Sequence, residues 1–286
     1  MTIANDARPR NHARPAAAFL GAAILLCAMP RAARAVETIP FTYVNGGLIQ
    51  VQGSVDGQGP VPMLVNLGAG VDILSSDLGR RYVAIHGKYV SLRLTGERVD
   101  LPIGKVLTLA AGGVTMEAPH VGIWGGLDGT GVSGLIAATA FRNITSTFDF
   151  RNHTIVIEDA QSFPERVRPL VRIPLTLQDD LGIALALFAR FDFGNGKTGL
   201  CEIDTGSQGI TLDKTFAQAQ GLAHGAAASG TVPSIAVAGA PQTAIPTPTV
   251  KFADLIYDCD VGNSFWAGRA FTLDLPNRFM YVSTSS

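Results

Sequence analysis

The sequence predicts an all-β chain built as two similar lobes with a few short helices. Three observations carry that prediction. Glycine and proline are frequent, at 32 and 16 of 286 residues, with β-branched residues throughout. That mixture favours short strands joined by tight turns. A strand-turn-strand-loop unit occurs twice, and a helix-strand-turn-strand unit also occurs twice, in the same order.

The first repeated unit sets LIQVQGSVDGQGPVPMLVNLGAGVDIL, residues 48–74, beside LFARFDFGNGKTGLCEIDTGSQGITL, residues 187–212. Asn66 then lies against Asp204, an offset of 138 residues. Asp56-Gly57-Gln58-Gly59 falls on Gly194-Asn195-Gly196-Lys197, so both copies have a hairpin turn between their strands. The second unit sets IAATAFRNITSTFDFRNHTIVI, residues 136–157, over VGNSFWAGRAFTLDLPNRFMYV, residues 261–282, at an offset of 125. It places Thr147-Phe148-Asp149 on Thr272-Leu273-Asp274, and Asn152 on Asn277. The charged, proline-containing FPERVRPLV, residues 163–171, divides the copies as a linker. Lobe one is expected over 36–162 and lobe two over 172–286.

Residues 1–35 have the pattern of an export signal. Arg8, Arg10 and Arg14 precede the apolar AAAFLGAAILLCAMP, and Ala33-Arg34-Ala35 fits a small-residue cleavage site. The alternative is an uncleaved N-terminal anchor, because Arg31 and Arg34 sit close to the cut. Export to a periplasm or the exterior is expected. Cys201 and Cys259 then remain as an even pair in an oxidising compartment, either bridged or as two buried thiols. A net charge of −1 provides no field for nucleic acid or an anionic membrane.

The five histidines are scattered, without metal-ligand spacing, so neither a metal nor a cofactor is expected. Gly129-Thr130-Gly131-Val132-Ser133-Gly134 matches a dinucleotide fingerprint but lacks the βαβ setting that the fingerprint needs. Trp124 and Trp266 are read as core or cleft-wall residues.

With these residues in view, the chain resembles the pepsin and retropepsin-like aspartic peptidases across both lobes. The resemblance rests on Asp204-Thr205-Gly206-Ser207 after an apolar strand, and on Asp260-Val261-Gly262 before a short helix. It implies a central cleft between the lobes and a site where two aspartates share one proton to activate water. Asp204 would be one of them. The partner position holds Asn66, followed by Leu67-Gly68-Ala69, and Ala137 stands where lobe two has Gly262. An amide neither takes up nor supplies a catalytic proton. Leu67 also lacks the hydroxyl that Thr205 would offer across the loops. Asp204 beside an amide is expected to ionise near its ordinary pKa, and Asp72 is expected to point away from the water site.

The resemblance further implies that Cys201 and Cys259 lie on neighbouring strands under the catalytic loop. A flap should cover the cleft from somewhere between Leu78 and Pro119, with Tyr89 as candidate tip. Asp149 and Asp274 would serve turns outside the cleft. Two functions compete: a non-catalytic relative that binds extended peptide or protein, and an active endopeptidase pairing Asp204 with an atypical partner. A third arrangement, lobe two pairing with lobe two of another molecule, is obstructed by lobe one. A monomer is therefore expected, and Asn66 with Leu67 favours the non-catalytic relative.

Overall fold

The computed structural model describes residues 36–283. The expected export signal and its cleavage site lie outside the described residues. No helix among the described residues is long and apolar enough to cross a membrane.

Three sheets organise these residues. A ten-stranded sheet is drawn from residues 42–137 and a nine-stranded sheet from residues 176–261. The two sheets share a central arrangement. In the first, Gly134–Ala137 lies between Gln58–Asn66, parallel to it, and Asp72–Leu74, antiparallel to it. In the second, Cys259–Val261 lies in the same way between Thr198–Ile203 and Ile210–Asp213. The repeat in sequence is thus a repeat in topology.

Turn chemistry sets the hairpin at the head of each copy. Asp56 and Gly57 both adopt positive φ, at 50° and 74°, and join Leu48–Val55 to Gln58–Asn66. Two positive φ values in a two-residue loop match the twist of the strands they join. In the second copy three residues, Gly194, Asn195 and Gly196, have positive φ between Ala184–Asp192 and Thr198–Ile203.

The third sheet has six strands and draws on both copies. Its order is Glu37–Pro40, Thr154–Glu158, Thr145–Asp149, Ala270–Asp274, Phe279–Val282, Val171–Pro174. The two middle strands run antiparallel with Thr147 opposite Thr272. Their hydroxyls approach to 2.8 Å, so two residues equivalent in the repeat bond to each other. A pseudo-two-fold axis therefore runs between them. Below the axis Phe148 stacks on Phe271 with ring centroids 5.0 Å apart, and Trp266 packs on Phe271 at 4.5 Å. All three rings are buried. Asp149 and Asp274 terminate the middle strands: Asp149 accepts from the N–H groups of Arg151 and Asn152, and Asp274 from Asn277.

The segment read as a linker is not simply extended. Ser162–Val167 forms a short helix, and Val171–Pro174 is already an edge strand of the shared sheet. Pro164 does not oppose the helix, because it lies in the first turn, where N–H groups have no intrahelical partner. Arg166 ties the helix to the buried Glu158.

Candidate functional site

The parallel strand pairs deliver two equivalent loops to the axis. Gln58–Asn66 ends at Asn66, and Thr198–Ile203 ends one residue before Asp204. The Asn66 side-chain oxygen accepts from Ala69 N–H at 2.9 Å, and the Asp204 carboxylate accepts from Gly206 N–H at 2.7 Å. Each polar side chain thus closes its own loop. The loops also interlock. A Cβ added at Gly68 would overlap the Asp204 carboxyl group, and one added at Gly206 would overlap the Asn66 amide. Only glycine permits this approach from both sides. Asn66 and Asp204 are therefore brought together across the axis, with Gly68 N–H also donating to the Asp204 carboxylate.

The clamp between the loops is one-sided. Thr205 Oγ1 accepts from Leu67 N–H at 2.9 Å and donates to the Val65 carbonyl at 2.8 Å. Leu67 is fully buried but has no hydroxyl to return these bonds. Ser207 and Ala69 continue the two loops and line the cavity together with Gly68 and Gly206.

The strand behind each loop differs in a telling way. A Cβ at Gly262 would come within 2.5 Å of the Ser207 carbonyl and 2.6 Å of the Gly209 carbonyl, so glycine is required there. Gly262 N–H donates to Gly209 O at 2.8 Å. At the equivalent position Ala137 N–H donates instead to the Asp72 carboxylate at 2.7 Å, and Thr139 Oγ1 donates to the other Asp72 oxygen at 3.1 Å. Asp72 is buried and faces these groups rather than the cavity. Burial pushes its pKa up to about 7 against the opposing hydrogen bonds.

Cys201 and Cys259 are opposite one another on the parallel strands and are bridged, with Cα atoms 4.4 Å apart. The disulfide ties the strand leading to Asp204 to the strand leading to Gly262.

In front of the loops is a cavity of about 790 Å³. Val71, Ile73, Val99, Leu101 and Trp124 give it apolar wall. The hairpin of Ala84–Leu92 and Arg98–Lys105 roofs it. Tyr89 is not the tip of this flap, contrary to the sequence expectation. It lies mid-strand opposite Leu101, and the turn is at residues 93–97. The nine residues of Ala84–Leu92 look alike in sequence, and the pairing register sets the turn beyond them. Tyr89 instead faces the cavity and donates to Asp180 at 2.9 Å. Burial first, then Asp180, pushes its pKa up to about 12. The flap tip reaches the other copy, where Ile256 N–H donates to the Leu94 carbonyl at 3.0 Å.

Asp204 departs from the expected ordinary ionisation. Its pKa rises to about 6, mainly through burial, against the N–H groups of Gly206 and Gly68. The residue opens on the cavity that the flap also lines, with its carboxylate set among the interlocked loops. Desolvation, not the amide neighbour, decides the ionisation of Asp204.

Two further acids belong to this site: Glu202, which the sequence reading did not single out, and Asp260, which it used only as a motif residue. Glu202 and Asp260 are opposite one another on the parallel strands, only 4% and 1% exposed. Both are raised well above ordinary carboxylate values, first by burial and then by the charge of Asp204. For Glu202, Asp260 adds to the effect. Glu202 lines the cavity, and Asp260 is behind it with one carboxylate oxygen unpartnered. The signal was present in C-E-I-D: an acid two residues before Asp204 in an apolar strand shares its face.

Of the other sequence candidates, Trp124 lines the cavity and Trp266 is core. The residue 129–134 glycine motif borders a separate surface groove with Asp77 and Arg80. Among the described residues no group of three or more His, Cys, Asp or Glu is arranged to hold a metal ion.

No protein-family model matches the chain, and no curated protein matches it by sequence. Solved structures do match in shape. Basic 7S globulin from soybean aligns with 88% of this chain and 95% of its own, at 13% identity and a TM-score of 0.53. Conglutin gamma, a basic 7S globulin from lupine seeds, aligns over the same shares at 11% identity and a TM-score of 0.53. At these identities the likeness establishes the fold alone, and that fold is the two-lobed, pepsin-like β architecture.

Proposed function

We propose that this protein is an exported peptide-binding relative of the aspartic peptidases whose catalysis is impaired. One observation carries the reading. The two loops interlock as a two-aspartate site requires, yet one presents an amide, Asn66, where the second carboxyl would be. The pair cannot share a proton, so it cannot both deprotonate a water and protonate a peptide carbonyl. The cleft in front of it is suited to an extended peptide: about 790 Å³, apolar along one side and roofed by a hairpin. The Cys201–Cys259 disulfide points to a secreted or extracellular chain.

A second reading is supported by Glu202. An active endopeptidase would need another carboxyl group near Asp204, and Glu202 lines the same cavity two residues away. Asp72 does not fill that role, since its carboxylate is committed to Ala137 and Thr139.

The test is cleavage of a denatured mixed-protein substrate from pH 3 to 7, with and without a statine-type inhibitor, beside binding of the same inhibitor. Binding without cleavage is the expected result. Inhibitor-sensitive cleavage that Glu202→Gln abolishes would replace the first reading with the second.

A further inference from the structure

We propose that the acidic wall of the cleft, Glu202 beside Asp204, is a subsite for a basic side chain of the bound peptide. The inference rests on the cleft reading above and adds the class of residue the cleft selects.

Glu202 is the central observation. It is 4% exposed, it lines the cavity, and no hydrogen bond or ion pair engages it among the described residues. A buried carboxyl group without a partner is costly, and it resolves that cost by keeping a proton or by taking a cation. Of the other lining acids, Asp179 pairs with Arg142, whereas Asp180 accepts from the neutral Tyr89 hydroxyl and has no cationic partner among the described residues. Arg93, the one cation on the lining, pairs with Glu97 at the flap turn. The cavity lining therefore has an excess of acids, Glu202, Asp204 and Asp180, over cations, with Asp260 packed beside Glu202 on the neighbouring strand.

The fold does not require these acids. At the equivalent places the other copy has Leu64 and Leu135, paired in the same register as Glu202 and Asp260. Both leucines are buried, so the architecture accepts an apolar pair there. An acidic pair confined to the copy that holds Asp204 is explained by a ligand better than by packing.

The chemistry favours an organic cation. These carboxyl groups do not converge in a metal-binding arrangement. Tyr257, whose hydroxyl is raised by burial and then by the Glu202 charge, lines the same wall. Its ring gives the stem of a lysine or arginine an apolar surface, while the head reaches the carboxylates.

The experiment uses the full chain and three blocked, extended peptides identical except for a central lysine, norleucine or glutamate. Binding is read by fluorescence anisotropy at neutral pH, for wild type and for Glu202→Gln. A charge-assisted hydrogen bond predicts that the lysine peptide binds about ten- to a hundredfold more tightly than the norleucine peptide. Glu202→Gln should remove most of that preference while leaving norleucine binding in place. Equal binding of lysine and norleucine peptides by wild type overturns the subsite and leaves the peptide cleft standing. A lysine preference that survives in Glu202→Gln also overturns it, because the cation is then read elsewhere. If none of the three peptides binds, the cleft reading falls and the subsite with it. Glu202→Leu, which places at 202 the residue type of the equivalent Leu64, is the second variant and should lose the lysine preference likewise if Glu202→Gln folds poorly.

Discussion

Asp204→Asn should stabilise the folded chain at neutral pH. Folding carries Asp204 from an ordinary pKa of 3.8 to about 6, chiefly because burial disfavours its charge. The folded state therefore holds this proton more tightly than the unfolded state. The resulting stability is fully present below about pH 4 and is lost as the pH rises through about 6. The shift corresponds to at most about 3 kcal/mol at pH 7.5, an upper figure because Asp204 opens on the cavity. Asparagine keeps the shape and an oxygen for Gly206 N–H but never has to be charged. Urea unfolding of wild type and variant at pH 7.5 and pH 4, with the disulfide intact, measures both ends. The variant should be more stable at pH 7.5, by up to that figure, and the gap should close near pH 4. If Asp204→Asn is instead less stable at pH 7.5, the N–H groups of Gly68 and Gly206 hold a structural anion. Burial is then not the dominant influence, and the loop is architecture rather than a site.

Three other outcomes are expected. Asn66→Asp alone should restore little peptidase activity, whereas Asn66→Asp with Leu67→Thr should produce acid-optimum cleavage of a denatured protein, abolished by Asp204→Asn. Groups that act as a unit do not add, so the second carboxyl needs the returned hydroxyl clamp. Replacing Cys201 and Cys259 by alanine frees a loop of sequence separation 58 and should cost roughly 4 kcal/mol in urea unfolding. Tyr89→Phe removes the flap's bond to Asp180 and should raise peptide dissociation rates up to about fivefold, a loss of roughly 1 kcal/mol or less at a partly exposed site, read by stopped flow.

Much of the architecture was legible because a repeat constrains two places at once. Thr147 and Thr272 were matched by offset alone, and they pair across the axis with their hydroxyls bonded. The same offset logic led from Asp204 to Asn66, and the loops holding them interlock through Gly68 and Gly206. The family resemblance, not the residues alone, placed Cys201 and Cys259 on neighbouring strands, where the structure has them paired and bridged. What the sequence concealed was set by burial and register. Residue order gives Glu202 the face of Asp204, but only the folded chain has that strand covered, leaving Glu202 and Asp260 buried. The turn at 93–97 was hidden because Tyr89 and its neighbours alternate as any strand does. Ser162–Val167 was hidden because a proline-containing charged segment suits a linker and a first helical turn equally.

The two copies diverge at the site in opposite directions, and the divergence is coherent. The first copy has the Asn66 amide at its loop and leucines at 64 and 135. The second has Asp204 at its loop and acids at the places equivalent to those leucines. An amide at 66 removes the like charge that would face Asp204 across the axis. Glu202 and Asp260 instead place their carboxyl groups on Asp204's own side, where burial and then the Asp204 charge favour their neutral forms. A water held between two facing carboxyl groups, as hydrolysis needs, has no such pair here. A cation entering the cavity meets several acids on one wall and only amide and apolar groups around the rest of the loop pair. Negative charge gathered on one side of the axis suits holding a positive group in place, whereas charge divided across the axis suits passing a proton through a bound peptide bond.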